Sequence, residues 1–117
     1  MTGDAFRALA LSLEGVEERA HMGHPDFRVN GRIFATLQAE ERRGMVKVTP
    51  DEQTALIAQA PGVFVPAAGA WGRQGCTMID LAGADPAVVR GALVLAWELA
   101  SAAPPARPRA PRRAKRT

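Results

Sequence analysis

Hydrophobic positions recur with helical spacing near the N-terminus. Phe6, Leu9, Ala10 and Leu13 fall at i, i+3, i+4 and i+7, which is one face of a helix. The pattern predicts an amphipathic helix over residues 4–13. Asp4 or Thr2 can cap its first turn, and Gly15 follows its end.

A second helical stripe lies near the C-terminus. Val89, Leu93, Ala96 and Ala100 share one face of a helix predicted over residues 86–102, which begins at the Asp85-Pro86 pair. A third helix is predicted in the middle of the chain, after Thr49-Pro50-Asp51-Glu52. Thr49 and Glu52 have the spacing of a capping box, and Pro61 ends the helix.

The remaining apolar segments are short and typical of strands. The best defined lie on either side of Asn30-Gly31, the residue pair preferred in a type I′ hairpin turn. A two-residue turn places Val29 opposite Arg32, Arg28 opposite Ile33, and Phe27 opposite Phe34. We therefore expect Phe27 and Phe34 to form a cross-strand aromatic pair. Further strands are predicted over residues 16–22, 45–49, 63–65 and 76–81.

The order of these elements indicates an α+β fold. Short turns between the strands predict a mostly antiparallel sheet, packed as a two-layer sandwich against the N- and C-terminal helices. The length of 117 residues suits one domain, predicted over residues 1–103. Residues 104–117 carry no apolar side chain larger than alanine, and we expect them to be a disordered basic tail.

Charge separates the domain from this tail. Residues 1–106 hold nine Arg/Lys and all twelve Asp/Glu, for a formal charge of −3, whereas residues 107–117 carry +6. Six unopposed cations predict association with nucleic acid or another anionic surface, with a log–log salt slope on the order of −5. The alternative is a solubilising tail without a partner. The six cations are Arg107, Arg109, Arg112, Arg113, Lys115 and Arg116.

Candidate catalytic and metal-ligating residues are sparse. His21 and His24 have no third histidine or cysteine near them in the sequence, so we expect no metal site and no cofactor. Cys76 lacks an identifiable base, which favours a buried structural thiol and a protein that is not an enzyme. No apolar run is long enough to span a membrane, and the N-terminus has no signal pattern. A monomeric cytoplasmic protein without membrane contact is therefore expected.

Several stretches together resemble the MmcQ/YjbR family of small bacterial proteins. They are LSLEGVEE, GHPDFRVNGRIFATL, VKVTPDEQTALIAQAPGVF, PAAGAWGRQGCTMIDL and the terminal AWELA, in that order over roughly residues 5–100. The resemblance implies a frataxin-like (CyaY-like) sandwich with a double-wing arrangement. It also implies a DNA-binding protein, since members commonly carry that description.

Two sets of binding residues follow. For DNA, contacts made mainly with the phosphate backbone would come from the tail cations and from a second group: Arg28, Arg32, Arg42, Arg43, Lys47 and Arg73. Alternatively, the protein is a binding module for a small ligand or a protein partner, anchored by Trp71 and Arg73 on a glycine-flanked loop. A third reading of Trp71 is that it covers one end of the sheet.

Overall fold

A computed structural model describes residues 1–21, 23–38 and 40–103, without the side chain of His21. These residues form a six-stranded, wholly antiparallel sheet in the order β1-β2-β3-β4-β6-β5. The helices are α1 (Gly3–Leu11), α2 (Pro50–Gln59), α3 (Gly69–Arg73) and α4 (Pro86–Ala102). The strands are β1 (Glu17–His21), β2 (His24–Val29), β3 (Arg32–Gln38), β4 (Arg43–Lys47), β5 (Phe64–Pro66) and β6 (Cys76–Asp80).

The helix starts follow the capping signals of the sequence. Thr2, not Asp4, caps α1, because its side chain accepts the backbone N–H of Ala5 at 3.0 Å. Thr49 and Glu52 form the capping box of α2 through reciprocal bonds of 3.1 and 3.0 Å. Asp85 caps α4 ahead of Pro86, as predicted.

One face of the sheet forms the core with α1 and α4. Phe6 and Ala10 of α1 and a stripe of α4 are buried against β2, β3 and β4. Gly44 of β4 lies so close to the Phe6 ring that a Cβ there would be 2.7 Å from it. The two-layer α+β sandwich expected from the sequence is confirmed.

The central hairpin has the predicted turn but not the whole predicted register. Asn30 and Gly31 have φ of 59° and 75°, which is a type I′ turn. The register then shifts at Phe27/Arg28, so that Phe27 lies opposite Ala35 and the expected Phe27–Phe34 pair is wrong. Phe27 instead meets Phe6 edge-on, with the ring centroids 6.1 Å apart.

The register shift is a β-bulge, and it decides which side chains of β3 enter the core. Phe34, Ala35 and Leu37 are all fully buried, a spacing that simple alternation cannot give. Ile33 and Thr36 are consequently only half-buried, on the face turned away from α1 and α4.

Candidate functional site

The second face of the sheet, turned away from α1 and α4, is only partly covered within the described residues. Thr36, Met45, Met78 and Val65 are paired in register from β3 to β5 and form one row of this open face. The three inner residues of the row are half-buried, and Val65 is 42% exposed. A mostly apolar row that is left open in a small protein is a candidate binding surface.

A groove of about 480 Å³ lies on this open face, beside α3. We call it the Trp71 groove, since the Trp71 side chain forms one wall and is 65% exposed. Most of its lining is apolar, with one cation, Lys47. The volume falls within the range of small-molecule sites. The lining residues are Ile33, Thr36, Gln38, Met45, Lys47, Ala67, Ala68, Trp71 and Cys76.

A buried polar cluster fixes the short helix that carries Trp71. The side-chain amide of Gln53, on α2, donates to the carbonyls of Gly72 and Cys76, both at 3.0 Å, and to the Thr77 hydroxyl at 3.2 Å. Gly75 has a φ of +110°, and a side chain there would overlap the Val48 carbonyl. The position of Trp71 is therefore set by backbone that is tied to α2 and β4.

Lys47 and Cys76 are cross-strand neighbours at the same end of the groove. Burial raises the pKa of the Cys76 thiol, and the charge of nearby Lys47 lowers it by less. The thiol is 4% exposed and stays protonated near neutral pH, so it is a poor nucleophile. Lys47 is exposed, and no carboxylate within the described residues lies within ion-pair distance of its ammonium group.

Arg28, expected to contact DNA, is paired inside the protein. Its Nε and Nη2 donate to the two carboxylate oxygens of Asp26 at 2.9 and 3.2 Å, and Asp26 is 1% exposed. The hydrogen bond to Asp26 raises the pKa of Arg28. A bidentate pair with a buried carboxylate engages the guanidinium edge that a phosphate would use.

The cations expected to act together lie at opposite ends of the sheet. Arg43 pairs with Gln38 at the end of β3, whereas Arg32 begins that strand, about 20 Å away at the rise of a β-strand. Arg42 and Arg43 line a separate groove with the acidic residues Glu40, Glu41 and Asp80. Arg28, Arg32 and Lys47 belong to the other end, where the hairpin turn lies.

The described chain ends beside Lys47. Ala103 lines a smaller groove, of about 180 Å³, with Arg32, Ile33, Lys47 and Leu99 of α4. Asn30 in the hairpin turn holds this end of α4, because its amide donates to the carbonyls of Ala100 and Ala103 at 3.2 and 2.8 Å. The small groove and the Trp71 groove share Ile33 and Lys47. The six tail cations follow Ala103 in sequence and lie outside the described residues.

Trp71 and Arg73 do not line the same groove. Arg73 is exposed at the last position of α3, but the lining of the Trp71 groove does not include it. Trp71 is exposed, so it does not cover the end of the sheet as one reading of the sequence had it. Trp97 is a packing residue, and its indole N–H donates to the Glu14 carbonyl at 2.9 Å.

The two histidines meet where β1 turns into β2. His21 and His24 are register partners there. Within the described residues, no three histidine, cysteine, aspartate or glutamate side chains are grouped closely enough to hold a metal ion. None of the helices described in the structure is long and apolar enough to cross a membrane.

Comparison with known proteins agrees with this architecture. The family model of YjbR matches residues 11–99, which is most of the chain. The chain belongs to the YjbR family. The YjbR fold is similar to the crystal structure of the Deinococcus radiodurans protein DR2400, which has a DUF419 domain. The TM-score is 0.73 at 19% identity, over 86% of this chain and 79% of that one. No curated protein sequence matches.

Sequence reasoning singled out Trp71 and Lys47 in this YjbR domain but not Ile33, Thr36 and Met45, which complete the groove. Ile33 and Thr36 line it because the bulge turns β3 over, and the register shift is a tertiary feature. The one signal in the sequence is the adjacent pair Phe34-Ala35 followed by Leu37, which breaks a period of two. Gln53 gave no signal, since a polar residue in an amphipathic helix is expected to face water.

Proposed function

We propose that the protein associates with DNA or another nucleic acid, without catalysis, as a cytoplasmic monomer that contacts mainly the phosphate backbone. One observation carries the proposal: the chain leaves α4 at Ala103, in a groove lined by Lys47 and Arg32. The six cations that follow are therefore tethered next to Lys47 and Arg32, at the hairpin end of the sheet. The remainder of the chain carries a formal charge of −3, so attraction to a polyanion is concentrated at this end.

Salt dependence tests the proposal directly. Binding of the full chain to a mixed-sequence duplex should weaken with salt along a log–log slope on the order of −5, because each neutralised phosphate releases a counterion. A full-length variant with glutamine at all six tail cations should lose most of that slope. In the otherwise unchanged full chain, Lys47→Gln should make the log–log slope less negative by about 1.

Arg28→Gln is the matched control for Lys47→Gln. Each substitution removes one cation at the same end of the sheet, but Arg28 is already paired with Asp26. The slope should be unchanged in Arg28→Gln. Undetectable binding at low salt, or a slope that survives neutralisation of the tail, would contradict the proposal.

The apolar lining of the Trp71 groove supports a second candidate, a module that binds a small ligand or a protein partner. Trp71 would then be the anchor of capture. Trp71→Ala should abolish capture of such a partner while the melting temperature stays nearly constant, because the side chain is 65% exposed. A large fall in melting temperature would assign Trp71 to the folded core instead.

A further inference from the structure

We propose that the Trp71 groove receives an unpaired nucleobase, so that the protein prefers single-stranded to double-stranded nucleic acid. This inference rests on the proposed function and specifies its substrate class. It starts from the exposed indole of Trp71, which stands over the open face of the sheet next to Lys47.

The chemistry of the groove matches one nucleotide. An exposed indole face binds any base by stacking, and the Lys47 ammonium group, which lines the same groove, binds a phosphate of the same strand. The amide of Gln38 donates to the Thr36 hydroxyl at 3.0 Å. The Gln38 amide oxygen and the Thr36 hydroxyl hydrogen then have hydrogen-bonding capacity for a base edge.

A base inside a duplex cannot use this site. Its two faces are stacked on neighbouring base pairs, and its pairing edge is already hydrogen-bonded. Stacking on Trp71 would first require flipping it out, which costs a few kcal/mol. A single strand offers bases without that cost, so the groove selects strands whose bases are already free.

The place where the chain leaves the domain favours a polyanion over a neutral occupant. Ala103 lies in the small groove that shares Ile33 and Lys47 with the Trp71 groove. A strand attracted by the six following cations is therefore brought to Lys47 and then to Trp71. The tail alone cannot create a preference for single strands, since a given number of cations releases more counterions from duplex than from single strands.

The test compares the full chain on a 12-nucleotide thymidine oligomer and on a 12-base-pair duplex, by fluorescence anisotropy at one salt concentration. We expect tighter binding to the single strand. Trp71→Ala should weaken single-strand binding about 5- to 150-fold, the range of one base–aromatic stack, and change duplex binding less than about twofold. Trp71→Phe should retain most of the affinity, because phenylalanine still stacks.

Leu11→Ala is the matched control, since it removes an exposed apolar side chain from α1, away from the groove. It should leave both affinities unchanged. If Trp71→Ala is poorly folded, the phenylalanine variant and quenching of the wild-type tryptophan emission by the oligomer carry the test. Loss of quenching in Trp71→Phe, which keeps Trp97, would assign the signal to Trp71.

Failure of this inference can be told apart from failure of the proposed function. The protein could bind both polymers without preferring the single strand, or Trp71→Ala could weaken both complexes equally. Either result overturns the base site but leaves the proposed nucleic-acid association intact. Binding to neither polymer at low salt overturns both. Capture of a small ligand or a protein at Trp71 that leaves oligomer binding unchanged overturns the base site as well.

Discussion

Asp26 and Arg28 occupy alternate positions of β2, and their pairing decides what each can do. Asp26 is fully buried and accepts two hydrogen bonds from the Arg28 guanidinium, whose side chain is 27% exposed. A buried carboxylate needs such a partner, because desolvation of an unpaired charge is costly. The arginine therefore serves the stability of the hairpin.

Arg28→Gln should lower the free energy of unfolding by about 1–3 kcal/mol, because it weakens the charged partner of Asp26. Urea denaturation measures the change. Arg19→Gln is the control, since Arg19 pairs with Glu17 at the surface, where both side chains are more than half exposed. That variant should stay within about 0.5 kcal/mol of the wild type. Equal effects of the two substitutions would contradict a structural role for Arg28.

Cys76 provides a test of burial at the groove. Burial raises the pKa of its thiol in the folded protein, so the thiolate fraction at pH 8 is smaller than in the unfolded chain. Iodoacetamide should label the native protein more slowly than the urea-unfolded protein. Lys47→Gln should slow native labelling further, since the ammonium group lowers the pKa. Faster labelling of the native protein would show an activated thiol.

At the scale of elements, α2 and the segment that follows β5 form one unit with β6. The Gln53 side chain of α2 donates hydrogen bonds to the carbonyls of both Gly72 and Cys76. Through these bonds the helix holds α3, and with it the indole that forms a wall of the groove. The orientation of Trp71 thus depends on a residue that does not line the Trp71 groove.

Gln53→Leu should destabilise the protein by about 1–3 kcal/mol, because the donor to two buried carbonyls and a hydroxyl is lost. It should also weaken single-strand binding, since α3 is no longer fixed. Gln59→Leu, at the exposed end of the same helix, is the control and should change the stability by less than about 0.5 kcal/mol. Thermal denaturation and anisotropy measure the two effects. Unchanged stability in Gln53→Leu would show that the cluster is dispensable.

How well each element could be predicted from the sequence depends on how far apart in sequence the interacting residues lie. Caps and the Asn30-Gly31 turn are set by neighbours in sequence, and Thr49, Glu52 and Asp85 act as expected. The bulge of β3 depends on packing against α1 and α4. Strict alternation of side chains along the strand therefore predicted the wrong cross-strand partner for Phe27. Helix α3 was missed because five residues with two glycines carry no helical period.

At the scale of the molecule, the two ends of the sheet differ. The turn between β3 and β4 brings Arg42 and Arg43 together with acidic residues, whereas the other end has Lys47 and the exit of the chain at Ala103. Net charge alone, +3 for the sequence, does not reveal this polarity. In the function proposed above, the distribution of charge over the fold, and not the net charge, directs a polyanion to one end.

Mapping the contact surface by NMR tests the central claim most directly. ¹⁵N-labelled full-length protein is titrated with the thymidine oligomer, and amide and indole N–H shifts are followed. We expect large shifts for the Trp71 indole, for Lys47 and for Thr36, with the Trp97 indole and the Arg42–Arg43 turn unchanged. Shifts confined to the tail, or centred on Arg42 and Arg43, would contradict binding at the Trp71 groove.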